Sequence, residues 1–263
     1  MGEVIPGRLL TVIVLGLDTT TPVGSVAIRK DGLVLAVRST DSTRPFSDQL
    51  PGAIDDLLRS LDLAVTDVDV FGVASGPGSL TGLRVGIATV QGLALALGRP
   101  AVAVSALEAL AHALSVTRHG PAAGECAGAW TDAHRGEVYA ALYLVEPPGR
   151  EGDVLRLLDG PAVGRPAEMA GRWAGVASGR RVHVGGNAAP SSAALLLEQL
   201  GPGTAITGAP LLAGPVAELA ERRAARGEAG PPHALQPLYV RRPDAEVARD
   251  RAREQRHTGR GSR

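Results

Sequence analysis

The chain has 263 residues, enough for one large domain or two small ones, each able to bury a core. Hydrophobic residues make up 44% and charged residues 21%, a globular balance, and 3% aromatics argue against a platform for stacking bases. Net charge is zero; Lys30 is the sole lysine and Cys126 the sole cysteine, which excludes lysine catalysis elsewhere, an internal disulfide framework and a cysteine zinc site, and suits a reducing cytoplasm.

The apolar run Leu9 to Leu17 is too short to span a membrane and ends in Asp18 rather than a cleavage site. It reads as a central strand buried on both faces, followed by the polar turn Asp18-Thr19-Thr20-Thr21-Pro22. Ser25 to Arg29 and Leu33 to Arg38 flank Asp31-Gly32, a strong hairpin signal. Leu50, Ile54, Leu57, Leu58 and Leu61 recur at helical spacing, with Ser47 as the expected N-cap. Val70 to Ala74 is the next strand, and it feeds the turn Gly76-Pro77-Gly78.

The helix beyond that turn, Gly82 to Gly98, is apolar nearly all round and must be covered by its own core or by another subunit. The loop before it is neither a dinucleotide fingerprint, since position 81 is threonine, nor a P-loop, since no lysine follows. Ser79 and Thr81 do not fit a nucleophile elbow either, because Pro77 and Thr81 occupy its glycine positions, and they are expected to cap the helix. Ala101 to Val104 is a further strand, and Ser105 caps a helix through Leu114.

A Gly, Pro and Ala stretch at 118–128 marks a boundary between an N-terminal lobe, 9–117, and a smaller lobe, 118–240. Beyond it come a hairpin around His134-Arg135-Gly136-Glu137, a strand near Val154 to Leu158 and a helix near Pro166 to Trp173. Then follow the strand Val182 to Val184 with Gly185-Gly186-Asn187, a helix opened by Ser191 or Ser192, and a last helix, Pro215 to Ala225. The second half repeats the first, hairpin and then alternating helix and strand, as in the duplicated actin-like fold of two lobes with mixed sheets flanked by helices. Residues 241–263 carry eight arginines against Asp244, Glu246, Asp250 and Glu254, a net of +4, and read as a solvated basic tail.

Four stretches give the chain a family resemblance. They are Leu17-Asp18-Thr19 with Ser25-Val26-Ala27; Gly76 to Arg84 running on through Gly86 and Gln91 to Ala94; Asp132-Ala133 with Gly136 to Tyr139; and Pro237 to Arg241. In these the chain resembles the TsaB family, the dimerisation subunit of the bacterial complex that makes threonylcarbamoyladenosine in tRNA. The resemblance implies a non-catalytic scaffold for the transferase TsaD, with the ATPase TsaE as third member, and a homodimer when the partner is absent. The group would be added beside the anticodon of tRNAs reading codons that begin with A. Transfer RNA would be met only through the complex, and membrane not at all.

TsaD binds its metal through two histidines four apart on its first helix, whereas that helix here reads Arg44-Pro45-Phe46-Ser47-Asp48-Gln49-Leu50-Pro51. His112 and His119 are seven apart and cannot share one helical face as a pair. This chain is therefore expected to need no cofactor, with ATP or ADP and a metal held by its partners. The expected interface joins the first helix (Leu50, Ile54, Leu57) to the apolar one (Gly82, Arg84, Val85, Gly86, Thr89, Val90, Leu93). Gly82 and Gly86, on one face, would let a partner backbone approach closely, and two such helix pairs would form a four-helix contact.

Two other readings stay open. Asp18 could orient Mg-ATP with Gly185 and Gly186 as a second phosphate loop, making an ATP-dependent phosphotransferase, or it could simply brace its own turn. The arginine-rich tail could make the chain a tRNA-binding module.

Overall fold

The computed structural model describes residues 11–147 and 154–241, so the basic tail from 242 onward lies outside the described residues. Strand β1 (Ile13–Asp18) is buried throughout and pairs antiparallel with β2 (Ser25–Lys30), which pairs with β3 (Leu33–Ser39). Asp31 and Gly32, both at positive φ, make the hairpin turn. Helix α1 (Phe46–Arg59), β4 (Val70–Gly76), α2 (Leu80–Leu97), β5 (Ala101–Ser105) and α3 (Ala106–Ser115) follow. The second half runs β6 (Cys126–Asp132), β7 (Val138–Val145), β8 (Leu155–Gly164), α4 (Pro166–Ala177), β9 (Val182–Gly185), α5 (Ala193–Leu200), β10 (Ala205–Thr207) and α6 (Ala213–Ala225).

The first sheet has the order β3-β2-β1-β4-β5 and the second β8-β7-β6-β9-β10, strand for strand the same. Each opens with an antiparallel hairpin and closes with two parallel strands reached by helical crossovers. This is the duplicated actin-like arrangement.

Alternation along the strands divides each core in two. Leu15 and Leu17 pack with Leu50, Ile54, Ile87 and Val90 of α1 and α2, while Val14, Val70 and Val102 face α6 through Val216, Ala217 and Ala220. In the second sheet Trp130, Leu142 and Val184 face α4 and α5, and Ala127, Ala129 and Tyr143 face Leu107, Leu110 and Ala111 of α3. The halves have thus exchanged their last helices. A division at 117/118 does not follow the packing, because α3 seals the second sheet and α6 the first.

Several local expectations need correction. The first strand begins at Ile13; residues 9 and 10 lie outside the described residues. Helix α1 begins one residue before Ser47, behind Pro45, and the Ser47 hydroxyl bonds Asp48 (3.0 Å) instead of capping. Strand β8 continues past Leu158 through Gly160-Pro161, because a sheet-edge strand with shifted register tolerates a residue without an N–H. Ser192 sits at the start of α5 without a side-chain cap bond.

Candidate partner interface

Helix α2 starts where expected for physical reasons that can be named. Ser79 Oγ accepts from Gly82 N (3.2 Å) and satisfies one of the orphan donors of the first turn, whereas Thr81 lies inside that turn and caps nothing. At the other end Gly98 adopts the left-handed conformation and closes the helix. Leu83, Ile87, Val90 and Ala94 point into the first sheet. The opposite face is open: Leu80 is 51% exposed and Leu95 71%, and Arg84, Ala88, Gly92 and Ala96 are exposed beside them. By length and composition α2 could cross a membrane, yet its inner third is buried against its own sheet. In the isolated chain it is covered on one side only.

Beside α2 lies α1, and between them runs a recess of about 560 Å³ lined by Pro51, Ile54, Leu58, Leu63, Val65, Thr89 and Leu93, with Asp55 and Arg59 at the rim. Thr89 Oγ1 donates to Val85 O (2.8 Å), so its hydroxyl is turned back onto the helix and the recess floor stays apolar. Asp55 and Arg59 pair with each other at 2.8 Å. An apolar centre with a polar rim is the anatomy of a protein–protein contact.

The residues expected there divide sharply. Arg84 is exposed, Val85 is half-buried outside the recess, and Thr89 and Leu93 are half-buried along it. Ile54 lines the recess but is nearly buried, and Leu50, Leu57 and Val90 are core residues. Gly82 and Gly86 need correction. A Cβ on Gly82 would stand 2.0 Å from Thr19 O, and one on Gly86 2.3 Å from Thr19 Oγ1, whose hydroxyl donates to Gly82 O (2.7 Å). These glycines admit the chain's own turn, not a partner. The small residues facing outward include Ala88, Gly92 and Ala96 on α2 and Gly52 on α1, and a Cβ on either of those two glycines would meet nothing within 4 Å.

The cleft between the sheets has two parts. About 140 Å³ lies among Thr20, Thr21, Gly78, Ser79, Thr131, Asp132, His134 and Asn187. An adjoining recess of about 350 Å³, at the lower end of the range of small-molecule sites, opens between Pro77 to Arg84 and Asp132, His134, Tyr139 and Arg241. Asp18 lines neither part. Its Oδ1 accepts from Thr20 N (2.9 Å) and Thr20 Oγ1 (2.7 Å), and complete burial raises its carboxyl above the usual range despite those bonds. That is a turn-bracing aspartate. Gly185 and Gly186 are also absent from the cleft lining. A Cβ on Gly185 would stand 2.6 Å from Leu114, and one on Gly186 2.0 Å from Trp130 O, so close packing accounts for both. Asp18 and this glycine pair are not brought together at one cavity.

Sequence reasoning missed that Ser79 and His134 meet in space. Both line the cleft, and Asp132 Oδ2 stands 3.3 Å from His134 Nδ1. Ser79 is occupied by its cap, however, and no hydrogen bond joins it to His134 among the described residues. The histidine follows the end of β6 in a turn at positive φ, a position that only the pairing of β6 with β7 defines. Among the described residues no group of three His, Cys, Asp or Glu side chains could hold a metal ion.

Comparison with known proteins gives a consistent set of likenesses. A family model described as TsaD, tRNA N6-adenosine threonylcarbamoyltransferase, matches residues 37–172. The tRNA threonylcarbamoyladenosine biosynthesis protein TsaB of Escherichia coli is 32% identical over 63% of this chain and 71% of its own length. An uncharacterized protein of Mycobacterium tuberculosis is 35% identical over 88% of this chain and 93% of its own. Among solved structures, YeaZ from Pseudomonas aeruginosa superposes with a TM-score of 0.69 at 30% identity, covering 87% of this chain and 99% of that one.

Proposed function

The chain belongs to the TsaB family, and from that premise we propose that it takes part in forming threonylcarbamoyladenosine in tRNA as a non-catalytic subunit that binds a TsaD-type transferase. The observation that carries this reading is the open face of α1 and α2: an apolar recess of about 560 Å³ beside an exposed stripe of small and apolar residues. A face of that kind is stable in water when another protein covers it. By binding one conformation of the transferase better than others, this chain would shift its partner toward that conformation without supplying a reacting group. Nucleotide and metal are assigned to the TsaD-type and TsaE-type partners, and tRNA is reached through the assembly in the cytoplasm. Because the partner is a fold relative, the same face would pair two copies of this chain when the partner is absent.

A pair of substitutions tests the placement. Gly92→Arg puts a long charged side chain into open space on the outer face of α2. It should leave the thermal unfolding transition of the monomer near that of the wild type while weakening association with the transferase by about a hundredfold or more, roughly the loss of one interface hot spot. Gly86→Arg, driven into Thr19, should instead prevent folding. If folded Gly92→Arg copurifies with the transferase at wild-type affinity, the interface lies elsewhere.

A further inference from the structure

A recess of about 530 Å³ opens at the far end of the second sheet and shares no residue with the α1/α2 face or with the cleft. One wall is the end of α3 and the loop after it, contributing Leu114, Arg118, His119 and Pro121. The other is β10 and the segment that follows. Ala205, Ile206 and Thr207 all line the recess. Neighbouring residues of a strand point to opposite faces, so the recess runs along the edge of β10 and not above one face. In the sheet β10 pairs only with β9, which leaves its outer N–H and C=O groups without a ladder partner.

The charge of this site is one-sided. Arg118 and His119 are exposed and make no ion pair or side-chain hydrogen bond among the described residues. No acidic side chain lines the recess. At its back His183 is 94% buried, by its relative exposure of 6%, with Nε2 2.9 Å from Glu125 Oε2. Ala122 N donates to that same oxygen (3.0 Å), which holds the Glu125 carboxyl below its usual range and keeps it ionised. An ionised carboxylate can only accept, so Nε2 of His183 carries the proton and the ring is fixed in place.

A volume of this size is several times that of an inorganic ion and falls within the range of small-molecule sites. The edge offered by β10 is three residues long, too short to hold an added peptide strand firmly. We propose that this recess binds a small organic anion, an apolar body bearing one phosphate or carboxylate, with the anionic group on Arg118 and His119 and the body against Leu114, Ile206 and Pro210. Groups on the body that donate or accept hydrogen bonds would meet the open backbone of β10. This site is independent of the partner interface, and its failure would leave the proposed function untouched.

Four probes decide it, each titrated into the full chain while the ring-proton NMR signals of His119 and His183 are followed. Those signals are assigned from the His119→Gln and His183→Gln variants. Phenyl phosphate and phenylacetate carry both features, 2-phenylethanol lacks the charge, and inorganic phosphate lacks the body. At least one of the two aromatic anions should shift both histidines saturably, and the stronger of them identifies the preferred acid group. The neutral alcohol and inorganic phosphate should bind about tenfold more weakly or worse, the value of one charge-assisted hydrogen bond. Arg118→Glu should cost at least about as much, and Lys30→Glu, a cation on the first sheet, should cost nothing. The proposal falls if neither aromatic anion moves the two histidines, if the alcohol binds as tightly as the anions, or if Arg118→Glu binds like the wild type.

Discussion

Ser79 illustrates how a single side chain can be placed by chemistry before any fold is known. A hydroxyl just ahead of an apolar run has the orphan amides of the first turn within reach, and Ser79 takes the one on Gly82. Ser79→Ala should therefore lower stability by about 1 kcal/mol in urea titrations, with the transition slope unchanged. Its affinity for the transferase should stay at the wild-type value, because the loss is confined to the cap. The glycines of the same helix were less legible. Their spacing shows that Gly82 and Gly86 share a face, but with apolar residues all round, nothing in the sequence says which face turns inward. Only the packing of Leu83, Ile87 and Val90 decides it, and it sends Gly92 outward. Asp18 was legible as a turn residue, since a short carboxylate two residues before a threonine finds its bonds locally.

Helices α3 and α6 meet through a cluster of charges that no sequence separation announces. Glu218 of α6 has His112 Nε2 3.2 Å from its Oε1 and Arg222 Nη2 2.6 Å from the same oxygen. Arg29 of β2 reaches both Glu218 and Glu221. His112 first, then Arg29 and Arg222, hold the Glu218 carboxyl at about 2 against an ordinary value of 4.5. Its folded form thus refuses a proton that the unfolded form accepts. The resulting stability is fully present above pH 4.5 and is lost as pH falls toward 2, amounting to about 3 kcal/mol. Urea midpoints of wild type and Glu218→Gln, compared at neutral pH and near pH 3, should draw together, the gap between them shrinking by more than half at the lower value. Equal acid sensitivity in the two would remove Glu218 as its source. Most strands and helices were readable from period and turn residues. Two strands were not: β10 is only three residues long, and β8 carries a Gly-Pro pair that reads as a break unless the strand is known to lie at a sheet edge.

At the scale of the whole molecule, the repeated order of hairpin, helix and strand revealed the duplication, and it did so because each sheet needs helices on both of its faces. Which sheet each last helix covers was beyond reach, since α3 and α6 offer similar small apolar faces. The exchange has a measurable consequence. Residues 1–105 produced alone should aggregate, because Val14, Val70 and Val102 lack α6, while coexpression with 106–263 should return a soluble pair of fragments on size exclusion. A monomeric fragment 1–105 with cooperative unfolding would contradict it. Beyond α6 the chain runs back over both halves, with Gly230 bridging to Ala101, Leu238 N donating to Ser75 O (2.7 Å), and Arg241 bonded to Glu137 and 5.9 Å from the Tyr139 ring. During synthesis the ribosome delivers both α1 and α2 long before the segment that seals the reverse side of their sheet. A nascent chain arrested before residue 213 therefore carries α1 and α2 finished on one side and a bare greasy sheet on the other, a natural target for holding chaperones until the last stretch emerges.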